Sequence, residues 1–203
     1  MGGQIAIFVT SIFSDKILKL VSLDALKLRS SDVDNFSNEM KSVLTDFQSM
    51  AKKLEQVPRT SSIKTYNQAR EKLIRNYSGS VDAKHADILL ARSLRKKGDD
   101  EYEYTRDLRT IIRPFLFNDF TTEKLKEIAR GIICPFLLIR ARNSITSVSS
   151  EPVELHQEFI DIYRNASKNF QLIEMDGKHH IHLTHPEMVA PHICDFLNKN
   201  IEQ

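Results

Sequence analysis

Four of the chain's seven histidines fall in one short stretch, Gly177-Lys178-His179-His180-Ile181-His182-Leu183-Thr184-His185-Pro186-Glu187. Imidazole gains and loses a proton near neutral pH and also ligates metals, so such a cluster suits either proton transfer or metal binding. Zinc sites draw their ligands from separated elements, commonly with cysteine or carboxylate. The chain has neither an HExxH nor a CxxC motif, so no metal and no cofactor is expected. A general base is the stronger reading, because the stretch lies between a predicted strand and a predicted helix. That is the sheet edge at which catalytic loops gather in α/β proteins.

The elements that must position this cluster follow from hydrophobic spacing. Residues 170–175 predict a strand before it. After it, Val189, Ile193, Phe196 and Leu197 predict a closing helix, with Thr184 and Glu187 as a capping box and Pro186 in the first turn. Upstream, residues 122–130 predict a short helix, 133–139 a buried strand, and Val153, Phe159, Ile160 and Tyr163 another helix. At the start, Ile5, Phe8, Val9 and Ile12 predict a helix over 1–13, with Gly2 and Gly3 where a neighbouring backbone comes close. Residues 18–23 then predict a strand buried on both faces and closed by Asp24.

Residues 28–112 differ in character. Ser31 and Asp34 pair as a cap for a long amphipathic helix marked by Val33, Phe36, Met40, Val43, Phe47, Met50 and Leu54, and Pro58 breaks it. Tyr66, Ala69, Leu73 and Tyr77 mark a second helix. Ala83, Ala86, Leu90 and Leu94 mark a third, with Arg92, Arg95, Lys96 and Lys97 at its solvated C-terminal end ahead of Gly98. Only the segment around Tyr102 to Tyr104 reads as strand. Strand–helix alternation interrupted by a helical insertion predicts a parallel sheet covered on both faces.

The histidine stretch resembles the histidine loop of the α/β-hydrolases, in which a glycine is followed within a residue or two by histidine. A proline and an acid then open the last helix. Matching Pro186-Glu187 to that pattern implies a catalytic base at His179 with His182 behind it; His180 is the competing assignment. The start of the chain is similar to the same family. Met1-Gly2-Gly3-Gln4-Ile5-Ala6 looks like the residues after the nucleophile in a Gly-His-Ser-Met-Gly-Gly elbow, where a strained turn presents the serine. That serine would fall one residue before Met1, whose backbone amide would then belong to the oxyanion hole.

Tyr66-Asn67-Gln68-Ala69-Arg70-Glu71-Lys72-Leu73 and Tyr104-Thr105-Arg106-Asp107-Leu108-Arg109 resemble cap-domain segments of serine hydrolase-like proteins. Arg106, Asp107 and Arg109 read as a structural ion-pair group in preference to a substrate contact. The resemblance implies an α/β class and a partial α/β-hydrolase fold, three strands at the edge of a parallel sheet with a helical cap insertion. Residues 1–27 would be the nucleophile helix and first strand, 28–115 the cap, and 116–203 the rest of the core with the histidine loop.

The sequence departs from the family pattern at the acid. Members commonly place it just after the strand matching residues 136–139, where this chain has Ala141-Arg142-Asn143-Ser144. An amide cannot balance an imidazolium charge, and an Asp-to-Asn change in a serine protease triad costs about 10⁴ in turnover, or ~5 kcal/mol. Asp24 is the other candidate, since some α/β-hydrolases carry their acid after the strand that here ends at Leu23. The same aspartate would serve equally well as a loop cap, and the absence of any acid is the next reading.

The implied function is acyl or ester hydrolysis of a small-molecule substrate, with the chain alone inactive for want of the serine. Its first strand would carry an unpaired edge that favours self-association and leaves stability marginal. Two alternatives stand beside this: a noncatalytic module that binds a partner through the sheet edge or cap, and a piece of an incomplete reading frame whose full product is an ordinary hydrolase. Composition narrows the field. With 41% hydrophobic and 28% charged residues the chain is too apolar for disorder, and a net charge of +2 on scattered cations argues against nucleic acid. The apolar run 5–13 is too short for a membrane span and follows no basic residue, and Ala6 breaks the myristoylation pattern begun by Met1-Gly2. Cys134 and Cys194 sit in apolar settings as reduced thiols do, which points to the cytoplasm.

Overall fold

A computed structural model of the chain describes residues 2–28, 62–63, 65–105, 120–144 and 152–199, with isolated helical positions between 38 and 52. In chain order the elements are α1 (Gly2–Ile12), β1 (Leu20–Leu23), β2 (Ser62–Ile63), α2 (Tyr66–Asn76), α3 (Ala83–Ser93), β3 (Leu94–Lys96), β4 (Tyr102–Tyr104), α4 (Thr122–Arg130), β5 (Phe136–Ala141), α5 (Val153–Ala166), β6 (Phe170–Met175), α6 (Ile181–Thr184) and α7 (Pro186–Asn198). They fall into two compact units, Met1–Ser30 with Phe120–Gln203, and Ser31–Asp119.

The first unit is organised by β5, the middle strand of a parallel sheet ordered β1-β5-β6. Leu20 lies opposite Phe136, and Phe136 opposite Phe170. Helices cover β5 on both faces, so Phe136, Leu137, Leu138 and Ile139 follow one another without polar alternation, and all four are buried. Alternate side chains serve opposite layers. Leu137, Ile139 and Ala141 pack with Met175, Ile181, Val189 and Phe196 under α7. Phe136 faces the other way, meeting Tyr163 of α5 edge-on at 5.0 Å and Phe170 at 5.4 Å. The buried Tyr163 hydroxyl donates to the Leu26 carbonyl at 2.7 Å, which anchors the segment that follows β1.

Helix α1 packs against β1 and α4. A Cβ on Gly3 would lie 2.7 Å from Ala25 Cβ and 3.0 Å from Ser22 Oγ, so the helix approaches this segment only because residue 3 has no side chain. Gly2 has open space around it, so the expected close approach holds for Gly3 alone. At the far end of the chain, Lys19 Nζ donates to the carbonyls of Phe196, Leu197 and Lys199 at 2.9, 2.7 and 2.6 Å. A cation from the β1 approach thus satisfies the orphan carbonyls of α7 and faces the negative end of its dipole. The expected capping box is absent. α7 starts after His185 without a side-chain cap, and the Thr184 hydroxyl donates instead to His180 O at 3.2 Å, because Thr184 closes α6.

The second unit holds an antiparallel sheet ordered β2-β4-β3. Two helices precede β3. Thr65 caps α2 by accepting from Gln68 N–H, and Asp82 caps α3 by accepting from His85 N–H. Ala69, Leu90 and Tyr104 form its core with Tyr66, Leu73 and Leu94. The third predicted helix is shorter than its apolar spacing suggested: α3 ends at Ser93, and Leu94 turns extended to pair with Tyr104. Arg95 and Lys96 therefore lie on a strand and not on a helix end, with Arg95 Nε donating to Glu103 Oε1 across the sheet at 2.6 Å. Ser31, Asp34, Pro58, Arg106, Asp107 and Arg109 lie outside the described residues, as does most of the predicted helix over 33–54. Among the described residues no helix is long and apolar enough to cross a membrane.

Replacing Lys19 by Met removes three donors from the end of α7 and is expected to lower stability by about 1–2 kcal/mol. The effect would be read as a lower urea midpoint at unchanged slope. An unmoved midpoint would mean that the lysine contributes nothing to holding this helix.

Candidate active site

The candidate site starts where β1 stops. Asp24 follows Leu23 with φ of 54°, a left-handed conformation that aspartate tolerates better than bulky residues. Its N–H donates to Ile139 O at 2.7 Å, which extends the β1–β5 ladder by one rung. The side chain is turned inward and only 3% exposed. Oδ1 accepts from Ala141 N–H at 3.0 Å, and Oδ2 accepts from the Ser144 hydroxyl. The same Oδ2 lies 2.6 Å from His179 Nδ1. Burial alone would raise this carboxyl, but the bonds from His179, Ser144 and Ala141 outweigh it and hold the group below its ordinary value. Asp24 is thus an anion in a water-poor setting.

The imidazole comes from the loop after β6. That loop is tied to the end of β5 by Arg142 N–H donating to Met175 O at 2.9 Å and Asn143 N–H donating to Gly177 O at 3.0 Å. A Cβ on Gly177 would meet Ile181 Cδ1 at 2.5 Å and Cγ1 at 3.1 Å, so the glycine lets α6 fold back beneath the loop. His179 stands just before α6 with its side chain 36% exposed. Its ring makes one hydrogen bond among the described residues, to Asp24, and one edge contact, to His180 at 4.9 Å between ring centres. An Nδ1–H donated to a carboxylate leaves Nε2 as the basic nitrogen.

The imidazole at hydrogen-bond distance from Asp24 is therefore that of His179. His180 occupies the N-cap position of α6 without a side-chain capping bond. Burial, together with the fields of His179 and His182, pushes it down to about 4, so it is neutral near pH 7. His182 is exposed, its ring 6.0 Å from that of His180. Asn143 is exposed in the turn after β5 and contributes a backbone donor to the histidine loop. Its neighbour Ser144 is wholly buried and reaches Asp24. Sequence reasoning passed over Ser144, since only the tertiary register shows that this hydroxyl falls on a carboxylate from β1. Met1 lies outside the described residues. Among the described residues no three His, Cys, Asp or Glu side chains converge as metal ligands would.

A buried carboxylate bonded to a partly exposed imidazole can orient a base and stabilise the imidazolium that forms when it takes a proton. No family model matches the chain. It is 26% identical over 201 residues to a Drosophila melanogaster protein named "Probable serine hydrolase", and 24% identical over 200 residues to a "Serine hydrolase-like protein" of Danio rerio. These alignments take in 98% and 97% of the chain but 58% of each relative, so the chain spans less than two thirds of their length. Among solved structures, a hypothetical protein from Pseudomonas aeruginosa PAO1 superimposes with a TM-score of 0.76 at 17% identity, over 97% of this chain and 64% of that one. A thioesterase domain from the curacin biosynthetic pathway gives 0.65 at 14%, over 95% and 61%. An esterase from M. tuberculosis gives 0.60 at 18%, over 97% and 60%. The chain thus carries a three-stranded parallel sheet that forms part of the α/β-hydrolase fold, and it is similar in sequence to proteins named as serine hydrolases.

Proposed function

We propose that His179 is the general base and Asp24 its acid partner in a serine hydrolase of small-molecule esters or related acyl compounds. The nucleophilic hydroxyl belongs to a residue outside these 203 positions, and the chain alone is inactive. The observation that carries this reading is the 2.6 Å contact between His179 Nδ1 and the buried carboxylate of Asp24. It is supported by the likeness of Met1-Gly2-Gly3 to the residues after a nucleophile elbow. The names of the two relatives and the esterase among the structural neighbours point the same way.

In the complete protein the serine oxygen attacks the acyl carbonyl while His179 Nε2 takes the hydroxyl proton. The resulting imidazolium is held by Asp24. The proton then passes to the departing alkoxide; in the second half water attacks the acyl-enzyme and gives a proton to His179, which returns it to the serine oxygen as the carboxylic acid leaves. The Met1 amide is one donor to the carbonyl oxygen as it becomes anionic. Residues 28–115 are the cap insertion that selects the substrate.

A specific observation favours association of the chain when it stands alone. Helix α1 leaves Ile5, Val9 and Ile12 exposed at successive turns, and the outer edge of β1 pairs with no strand among the described residues. An apolar stripe beside an open parallel edge suits self-association or capture of a partner chain. A cytoplasmic setting belongs to the same reading, supported by the free thiols of Cys134 and Cys194.

In a longer protein that includes the elbow, Asp24→Asn is expected to lower turnover of a short-chain nitrophenyl ester by about 10⁴. His179→Ala should cost roughly 10⁴ to 10⁶, and Asn143→Ala should leave the rate near wild type. The present chain should show no hydrolysis above background. Activity that survives Asp24→Asn but fails with Asn143→Ala would remove the acid role from Asp24 and place the ring's partner at the end of β5.

Acidification should weaken the fold in two legs. Between its ordinary 6.5 and about 4, His180 binds fewer protons folded than unfolded, so stability is lost as pH falls through that window. Asp24, held below its ordinary value, adds a second loss as pH falls further through its folded pKa. Urea midpoints measured from pH 7 downward should show the first leg in wild type and a smaller one in His180→Gln, where His182, also held below its ordinary value by burial, still contributes. A flat wild-type profile between pH 7 and 5 would contradict the burial of this imidazole.

A further inference from the structure

We infer that Ser144 is a positioning residue, whose buried hydroxyl, bonded to the same carboxylate oxygen as the imidazole, fixes the direction in which Asp24 presents its charge to His179. The inference deepens the proposed base–acid roles, but its test needs no catalytic turnover.

A carboxylate turns about its Cβ–Cγ bond in a broad, shallow well, so its plane is set by the donors around it. Ala141 N–H at 3.0 Å holds Oδ1 of Asp24. Oδ2 receives the Ser144 hydroxyl as well as the His179 ring. The two donors from the end of β5 thus grip opposite oxygens of one carboxylate. They are fixed to each other, because Ser144 N–H donates back to Ala141 O at 3.2 Å. Between them Asn143 N–H donates to Gly177 O at 3.0 Å, at the root of the histidine loop. One four-residue turn therefore holds both the acid and the loop that carries the base. At the strand end where an acid is missing from the sequence, the chain supplies donors that aim an acid arriving from β1.

Ser144 is itself 0% exposed, a placement that costs a hydroxyl its water unless it has a partner. A donor added to a buried carboxylate favours the ionised form, so the hydroxyl helps keep Asp24 charged as well as oriented. The titratable groups facing Asp24 include His179 by direct contact and His180 and His182 through space. Ser167 offers an internal comparison. It is also buried, but its hydroxyl donates to Cys134 O at 2.7 Å, in another part of the core.

The test is NMR on the whole 203-residue chain, reading the carboxyl carbon titration of Asp24 and the Nδ1-bound proton of His179. With Ser144→Ala the Asp24 midpoint should rise by about one pH unit, and the Nδ1 proton signal should shift or broaden as the bond loosens. Ser167→Ala should move neither. Ser144→Cys, a weaker donor of similar shape, should give an intermediate rise and serves alone if the alanine variant does not fold. A Ser144 variant that leaves the Asp24 midpoint and the proton signal where Ser167→Ala leaves them would overturn the inference. These shifts in a protein whose full-length form proves inactive on esters would keep the positioning role and remove the hydrolase reading.

Discussion

A carboxylate withdrawn almost wholly from water stays charged only if donors replace the water, and this requirement organises the first unit. Asp24 is given a backbone N–H, a hydroxyl and an imidazole. Each comes from a different point on the path from β5 to α6, so the three meet only if β1 lies beside β5 in its observed register. A shift of one residue would turn Asp24 to the opposite face of the sheet. The packing around the site enforces that register. Gly3 lets α1 close on the turn after β1, Tyr163 ties down Leu26, and the ladder continues one rung past β1 through the Asp24 amide. The left-handed backbone at Asp24 is part of the same arrangement, a local cost accepted where the surrounding contacts determine the conformation.

Much of this was legible in the sequence for a definite reason. Buried strands read as apolar runs, so the strands at 20–23 and 136–141 were found with errors of two or three residues at their ends, and the strand at 170–175 with none. Helices with one buried stripe reveal themselves by spacing, as α4, α5 and α7 do. A glycine, a histidine and then Pro186-Glu187 mark the histidine loop, because a tight turn and a helix start each need particular residues. Asp24 was visible as a polar residue ending an apolar run, but its partner lies 155 positions away, and only the fold joins them.

What was not legible depends on contacts with no local signature. Leu94 continues the apolar spacing of α3, yet pairing with Tyr104 draws it into a strand, since a cross-strand ladder with an Arg95–Glu103 ion pair competes with one more helical turn. Thr184 and Glu187 have capping-box spacing, but α6 ends on Thr184 and takes its hydroxyl first. The grip of Lys19 on α7 spans nearly the whole chain. Ser144 stands beside the residue that drew attention at that strand end, and its importance comes from a carboxylate that the local sequence does not contain.

The base–acid pair requires an ionised Asp24 that accepts the Nδ1 proton of His179. Imidazole tautomers are distinguished directly by nitrogen NMR of the labelled rings, at a pH high enough for the histidines to be neutral. A free histidine favours the proton on Nε2; His179 is expected to carry it on Nδ1, and Asp24→Ala to return it to Nε2. A His179 protonated on Nε2 in the unaltered chain would mean that the carboxylate does not orient this ring, and the base–acid reading would fall with it.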